Sequence, residues 1–292
     1  MTQYKRFSAL TIDVEDGVNI LMRDLFGTEI SPTRRVIGNV DVLLELFGRH
    51  DVKGTFFILG EIAEEYPSLV RKIASHGHEM GVHGYHHDQM FRLTPDRARE
   101  DIRRAKDLIE EVTGGPVFGF RAPAFSVSGE TSWALDIIAE LGFRYDSSIM
   151  PASGNRYGWK GFNREIHRME LPGGNSLIEV PLSVVDLAGR TMPACGGGYL
   201  RYFPYNMTRR SFRSILKERP VIVYMHPYEL DTGKYPDFFY QAKSSLGMKK
   251  RIPLSFYRVN KGTVKRKLDR LIGEFPFKPI IEIIEDYERD SK

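Results

Sequence analysis

The sequence predicts an α/β fold built on parallel strands, arranged either as an open sheet or as a barrel. Short apolar runs rich in β-branched residues recur along the chain, and stretches with apolar residues at helical spacing separate them. Ionisable residues directly follow several of the short runs, as they do at the carboxyl ends of parallel strands. The alternation therefore indicates repeated strand–helix–strand units.

The predicted strands are short apolar runs bounded by turn residues: FSALTIDV, GTFFIL, HEMGVH, VFGFRAP, the start of FRYDSS, and PVIVYMHP. The predicted helices have apolar residues three and four positions apart: SPTRRVIGNVDVLLELFGRH, PSLVRKIASHG, TPDRAREDIRRAKDLIEEVTGG, SGETSWALDIIAELGF and KGTVKRKLDRLIGEF. Ser31 before Pro32 and Thr94 before Pro95 are expected helix caps, and Gly114 is an expected stop.

Composition limits the class of protein. A chain of 292 residues with 41% hydrophobic and 27% charged residues is long enough to bury one large core or two modest ones. The formal net charge of +4 is too small to indicate nucleic-acid binding, so no nucleic-acid partner is expected. The apolar stretches are also shorter than a membrane span.

The single cysteine, Cys195, excludes an internal disulfide and fits a reducing compartment. We expect it to be a small packed residue rather than a nucleophile, because nothing around ACGGGY supplies a base. The first residues, MTQYKRFSALTIDV, enter a strand without the apolar core of a secretory signal. A cytoplasmic protein is therefore expected.

Ionisable residues follow five of the predicted strands, and this is the strongest functional signal. They are Asp13, Glu15 and Asp16 after the first strand, His83, His86 and His87 after the third, Arg121 after the fourth, Asp146 in the fifth, and His226 after the late strand PVIVYM. Parallel strands bring their carboxyl ends to one edge of a sheet, where reactive groups gather. The pattern therefore predicts one polar site.

His83 and His87, four residues apart, suit a metal when one carboxylate joins them. Three nitrogen and oxygen ligands leave coordination positions open for water and substrate, which is typical of a catalytic site. The pair alone would favour a hydrogen-bonded surface turn, but TIDVED supplies the carboxylate. Strand alternation places Asp13 and Glu15 on one face, and Asp16 stands next to Gly17, so either Glu15 or Asp16 is the third ligand.

Two further pairings are expected. Asp13 lies inside an apolar run, where an unpaired charge is costly, and Arg121 is its natural partner. His226 would pair with Asp146, which would hold its tautomer and raise its pKa, as suits a general acid. The other histidines lack such surroundings and are predicted at the surface: His50, His76, His78 and His167.

The order TIDVED, HGYHH, FRAPAF, YDSS, YMHP resembles the five motifs of the NodB-homology polysaccharide deacetylases, the family-four carbohydrate esterases. The chain is most similar to the subfamily from exopolysaccharide loci with exosortases, whose members carry DVED, a segment like PACGGGYLRYFPY and a basic C-terminal extension. The resemblance implies a deformed parallel (β/α) barrel in residues 1–230, with a β-rich insertion over 151–190. It also implies a basic extension over 231–292 that packs on the same domain.

The resemblance implies a role for each matching residue. Asp13 would be the general base, and Arg121 would orient it. His226, tuned by Asp146, would protonate the leaving amine. The two histidines of HGYHH and the third ligand would hold a divalent metal, zinc first and otherwise cobalt, nickel or manganese. This metal and a backbone N–H near Phe125 would stabilise the oxyanion.

The implied reaction removes an N-acetyl group from an amino sugar in a polysaccharide, or in its nucleotide- or lipid-linked precursor. Pro123, Phe125 and Tyr199 would contact this carbohydrate, with ACGGGYLRYFPY read either as a sugar-binding segment or as a tight turn with core aromatics. Two alternatives are an allantoinase-like or deformylase-type amide hydrolase on the same fold, and a non-catalytic carbohydrate-binding relative.

The stretch from Lys243 to Arg270 holds ten basic residues and one acidic residue, Asp269. A solvated charged face is the first interpretation. The alternative is an anion-binding surface that docks a pyrophosphate-linked sugar, or that holds the protein weakly at the anionic inner face of the membrane.

Overall fold

The computed structural model describes residues 7–152, 158–187, 189–194, 196–244 and 259–290. The strands in these ranges are β1 Ser8–Val14, β2 Thr55–Ile58, β3 Glu79–Val82, β4 Gly119–Phe120, β5 Tyr145–Asp146, β6 His167–Glu170, β7 Ser176–Glu179, β8 Val184–Leu187, β9 Arg190–Pro193, β10 Ile222–Met225 and β11 Phe277–Lys278.

The helices in the same ranges are α1 Gly17–Phe26, α2 Arg35–Arg49, α3 Gly60–Glu65, α4 Pro67–Ser75, α5 Pro95–Thr113, α6 Trp133–Glu140, α7 Gly197–Tyr202, α8 Tyr205–Ile215, α9 Asp237–Ser244, α10 Lys261–Glu274 and α11 Ile280–Asp290. Short 3-10 turns cover Met90–Arg92, Pro123–Phe125, Gly129–Thr131 and Pro227–Leu230.

The main sheet curls into a half-barrel with the strand order β10-β1-β2-β3-β4-β5-β7-β6. Neighbouring strands are parallel except for β6 and β7, and β11 adds a second short parallel pairing to β1. The predicted parallel α/β fold is confirmed. All seven residues of β1 are buried, which fits a strand flanked on both sides and covered on both faces.

Helix boundaries follow the predicted signals where a cap operates. The Thr94 hydroxyl accepts a hydrogen bond from Arg97 N, and Gly114 ends α5 in the left-handed conformation with φ of 71°. In contrast, α2 begins at Arg35 rather than after Ser31. The segment before α2 is not helical, and its Pro32 carbonyl accepts a hydrogen bond from Tyr66 Oη at 2.6 Å.

The region after β5 is rich in strands. The β6–β7 hairpin extends the main sheet with antiparallel pairing, whereas β8 and β9 form a separate two-stranded sheet.

Two predictions from the sequence concern residues outside the described ranges. They are the packing of Cys195 and the surface formed by residues 245–258 of the basic stretch. Among the helices that are described, none is long and apolar enough to cross a bilayer.

His78 is buried, so its predicted surface position is wrong. Only 7% of the residue is exposed. Its ring packs against the rings of Phe47 and Phe56 at centroid distances of 5.5 and 4.8 Å, and its Nδ1 accepts a hydrogen bond from Gly54 N at 3.2 Å. Burial, together with the nearby positive charge of Lys53, lowers the pKa of His78 to about 4.

Protonation of His78 is expected to destabilise the fold in acid. The side chain stays neutral in the folded protein down to about pH 4, whereas it protonates near pH 6.5 when unfolded. Its contribution is therefore fully present above pH 6.5 and is lost as the pH falls towards 4. Between pH 7 and 5 the wild type should lose about 2 kcal/mol more unfolding free energy than His78→Gln, measured by urea titration. Parallel stability curves for the two proteins would contradict this assignment.

Candidate active site

The carboxyl ends of β1, β3, β4 and β10 bring the predicted polar residues to one edge of the sheet. Asp13 lies in β1 and Glu15 directly after it, while His83, Arg121 and His226 each follow the last residue of their strand. Parallel pairing in register aligns these ends, so residues more than 200 positions apart become neighbours. The predicted convergence at one edge is what the structure shows.

Glu15, His83 and His87 form a cluster with the composition of a metal site. Glu15 Oε1 lies 3.0 Å from His83 Nε2 and 3.1 Å from His87 Nε2. One ligand atom from each residue lies within 4.8 Å of the others, and this is the one such group among the described residues. A carboxylate with two imidazoles suits a divalent cation and leaves coordination positions open.

The backbone fixes which atoms of the histidines face the cluster. His83 Nδ1 lies 2.8 Å from Arg121 O, and because a carbonyl only accepts, Nδ1 carries the proton and Nε2 keeps its lone pair. His87 has a φ of 62°, which is uncommon for a residue with a side chain and fits a functional constraint. His86, between them, points instead to Glu61 Oε2 at 3.3 Å.

Charge interactions in the cluster oppose the effect of burial. Burial by itself would raise the pKa of Glu15, but His226, His87 and His83 together lower it well below its usual range. Burial would likewise lower the pKa of His87, yet the Glu15 carboxylate raises it. The carboxylate is therefore ionised, as a ligand must be.

Asp16, the alternative third ligand, does not face the cluster. Its carboxylate accepts hydrogen bonds from Val18 N at 3.2 Å, Asn19 N at 3.3 Å and Thr33 N at 2.6 Å. Asp16 is the N-cap of α1, a helix that the sequence analysis did not predict. The structure thus corrects the Asp16 alternative and brings Glu15 to the histidines.

Asp13 and Arg121 form the predicted pair. Arg121 Nη1 donates to Asp13 Oδ1 at 2.7 Å, and both side chains are buried. Arg121 also donates to Thr11 Oγ1 and, through Nε and Nη2, to the carbonyl and hydroxyl oxygens of Ser147. The guanidinium therefore has a fixed orientation, which in turn fixes the Asp13 carboxylate.

His226 does not pair with Asp146, so this prediction is wrong. Asp146 accepts hydrogen bonds from the backbone N–H and hydroxyl of Ser148. It also lies in register with Glu179 on the adjacent β7 and shares a hydrogen bond with it. Burial raises the pKa of both carboxyl groups, as expected for two acids that share a site away from water.

Glu229 takes the place that Asp146 was expected to fill. Its Oε1 lies 3.9 Å from His226 Nδ1, and the residue is buried. The Tyr228 ring stacks on the imidazole at a centroid distance of 4.8 Å and an angle of 12°. Burial alone would lower the pKa of His226, but the carboxylates of Glu15, Glu229 and Asp13 raise it to about 9. The sequence contains a signal for this pairing, because residues three positions apart in a helical turn lie on the same side, as His226 and Glu229 do.

Of the predicted substrate contacts, Phe125 lies near the site, with its ring centroid 5.8 Å from Arg121 Cζ. Pro123 and Phe125 lie in the turn after β4, and the Phe125 ring packs on the Tyr224 ring at 4.6 Å. The Phe125 N–H donates to Ala122 O at 3.1 Å, so this donor is engaged within the turn rather than presented to an oxyanion. Tyr199 lies on α7 and packs on Phe203, and its contact with substrate stays a prediction.

Comparisons with known proteins agree with the geometry. Residues 36–145 match the polysaccharide deacetylase family model, and residues 147–285 match a domain of unknown function, DUF3473. A peptidoglycan deacetylase from Helicobacter pylori is 29% identical over 136 residues, which cover 47% of this chain and 43% of that protein. A peptidoglycan-N-acetylglucosamine deacetylase from Bacillus cereus is 28% identical over 124 residues, 42% of each protein.

The match to each of these two relatives therefore spans less than half of the relative's length. A solved structure from Mycobacterium smegmatis, assigned to the polysaccharide deacetylases, superimposes with a TM-score of 0.66. It is 21% identical, and the alignment covers 100% of this chain and 93% of that one, so the likeness concerns the fold. The family match therefore shows that residues 36–145 belong to a polysaccharide deacetylase domain of the NodB-homology type, the family-four carbohydrate esterases.

Proposed function

We propose that the protein is a metal-dependent hydrolase that removes an N-acetyl group from an amino sugar in a polysaccharide or its nucleotide- or lipid-linked precursor. The observation that carries the proposal is the Glu15–His83–His87 cluster beside the Asp13–Arg121 pair and His226. The names of the curated relatives, both peptidoglycan deacetylases, support the same class of reaction.

Glu15, His83 and His87 would hold the divalent ion, with zinc favoured by two imidazoles and one carboxylate. Such an ion supplies a Lewis acid that polarises a carbonyl and lowers the pKa of water. The rest of the chemistry falls to the side chains around this cluster.

Asp13 is placed to accept the proton of the attacking water. One carboxylate oxygen is bound to Arg121, and the other, Oδ2, lies 4.0 Å from His226 Nε2 on the side of the cluster. The guanidinium prevents rotation of the carboxylate. A base held in one orientation accepts a proton without paying for reorganisation.

His226 is placed to donate a proton to the leaving amine. The carboxylates of Glu15, Glu229 and Asp13 raise the pKa of His226, which favours the protonated imidazole that a general acid requires. Nε2 faces the cluster, 3.8 Å from Glu15 Oε1, while Nδ1 faces Glu229. Tyr228 stacks on the ring and fixes its plane.

Acetate release from a panel of N-acetylhexosamine glycans, nucleotide sugars and lipid-linked sugars tests the proposal. We expect release from at least one substrate class, loss of release with a chelator, and recovery when zinc is returned. Activity that resists the chelator would contradict the metal-dependent mechanism and favour the metal-independent amide hydrolases. The cytoplasmic location and the link to exopolysaccharide synthesis stay predictions.

Glu229→Gln is expected to slow turnover by roughly 10- to 100-fold, less than the loss of the general acid itself. Removal of the negative charge beside Nδ1 lowers the pKa of His226, so the effect should be largest for substrates with poor leaving amines. Rates on amides of graded leaving-group basicity measure it.

Asp146→Asn is the matched comparison, because it neutralises the carboxyl group that the sequence alone assigned to His226. A greater dependence on the leaving group in Asp146→Asn than in Glu229→Gln would overturn the assignment to Glu229.

A further inference from the structure

Helix α8 presents three arginines and an asparagine, none of which belongs to the candidate active site. Asn206, Arg209, Arg210 and Arg213 line a concavity of about 300 Å³. Their spacing of three and four residues puts them on one face of consecutive helical turns. The opposite face of α8, with residues such as Phe212 and Ile215, is buried in the core, so the helix is a rigid support for these side chains.

The carboxylate of Glu274, at the end of α10, binds two of these arginines. Its Oε1 accepts from Arg209 Nε and, at 2.9 Å, from Arg213 Nη2, while Oε2 accepts from Tyr205 Oη at 3.0 Å. A single carboxylate therefore orients two guanidinium groups without matching their total charge. Both arginine side chains remain 38% and 45% exposed, so they stay accessible to a ligand.

Two further guanidinium groups increase the charge excess. In the part of the chain that the structure describes, no acidic side chain lies within 4.0 Å of Arg210, which is exposed. The Arg270 guanidinium, from the predicted basic stretch, stacks 4.0 Å over the Tyr205 ring and is also exposed. Two guanidinium groups thus bind the Glu274 carboxylate, and two more, without an acidic partner in the described residues, lie beside Arg213 and Tyr205.

We propose that this arginine cluster, formed by Arg209, Arg210, Arg213 and Arg270, is a binding site for a phosphate group. Planar guanidinium forks match phosphate oxygens in pairs, and arginine is the preferred residue for such recognition. Glu274 orients the guanidinium groups of Arg209 and Arg213 before the ligand binds, and this lowers the conformational entropy lost on binding. The phosphate comes either from a lipid headgroup or from a soluble diphosphate, and the site does not depend on the proposed hydrolase activity.

Two binding measurements on the full chain distinguish the two sources. Titration with inorganic pyrophosphate probes a soluble diphosphate, and co-sedimentation with phosphatidylglycerol vesicles, against phosphatidylcholine vesicles, probes a lipid headgroup. The test variant is Arg210→Glu with Arg213→Glu. The matched control is Arg71→Glu with Arg97→Glu, which changes two exposed arginines on α4 and α5 and gives the same net charge.

We expect the test variant to bind at least one probe roughly 30-fold more weakly than the control does, equivalent to about 2 kcal/mol. Loss confined to vesicles identifies a lipid headgroup, and loss confined to pyrophosphate identifies a soluble diphosphate. Because both variants keep the same active site, any pyrophosphate bound to the metal cancels in the comparison. Equal binding by test and control, or binding of neither probe by the wild type, would overturn the proposal.

Discussion

Asp13→Asn is expected to leave the protein folded and able to bind zinc, while it slows deacetylation by roughly 10²–10⁴-fold. The asparagine amide oxygen can still accept the hydrogen bond from Arg121 Nη1, so the shape of the site is kept. The amide cannot take a proton from water at neutral pH, so only the function of the base is removed. Turnover, zinc affinity and the unfolding midpoint of the same preparation measure the three effects separately.

Asp13→Ala is the comparison that separates catalysis from stability. It leaves the Arg121 guanidinium, which is 0% exposed, without its charge partner. Removal of one member of a buried ion pair costs about 3–5 kcal/mol, so this variant should be clearly less stable than Asp13→Asn. Near-normal turnover in Asp13→Asn would exclude Asp13 as the base.

Glu15→Gln and His83→Ala are expected to weaken zinc binding by roughly 100-fold or more and to abolish metal-dependent turnover. Loss of groups that only support a metal ligand already costs roughly 10- to 100-fold in affinity, so loss of a ligand should cost more. Zinc affinity by competition with a chromophoric chelator, together with activity at saturating zinc, measures both losses.

Asp16→Asn is the matched control for Glu15→Gln, since both replace a carboxylate by its isosteric amide one residue apart. Asparagine caps helices about as well as aspartate, so α1 should be retained. This variant should bind zinc and turn over substrate almost normally. If Asp16→Asn lost zinc while Glu15→Gln still bound it, Asp16 rather than Glu15 would be the third ligand.

The position of the site could be predicted because it depends on a rule about parallel strands. Runs such as FSALTIDV and PVIVYMHP identify buried strands, and the polar residue at the end of each run must then lie at the common edge. The Asp13–Arg121 pair followed from the same reasoning, since a charge inside an apolar strand requires a partner. These features depend on periodicity and strand direction, which a single sequence contains.

The third ligand could not be chosen from sequence because it depends on where β1 stops. Asp16 is lost to the cluster because α1 begins at the next residue and uses the Asp16 carboxylate as its cap. Strand alternation favours Glu15, whereas the neighbouring Gly17 favours Asp16, so strand pattern alone does not distinguish the two acids. The use of Asp16 as the helix cap leaves Glu15 as the third ligand.

The prediction of Asp146 as the partner of His226 was wrong because the position of Asp146 depends on which strand pairs with β5. The pairing of β5 with β7 sets Asp146 beside Glu179, and this register depends on a contact between distant segments. Hydrophobic pattern does not report which strand becomes a neighbour. Glu229 was available at three residues from His226, but a carboxylate within a turn usually faces solvent, and only the 3-10 geometry of Pro227–Leu230 turns it inward.

The central place of β1 has a consequence for the order of events during synthesis. Thr11 Oγ1 donates to Val223 O, 212 residues later, and β11 closes the start of the same strand. At about 5–20 residues per second, a ribosome needs about 10 to 40 s to make the intervening chain. Throughout that time the nascent protein holds Asp13 on a strand without its late neighbours, and His226 has not yet been made. The site is assembled only near the end of translation.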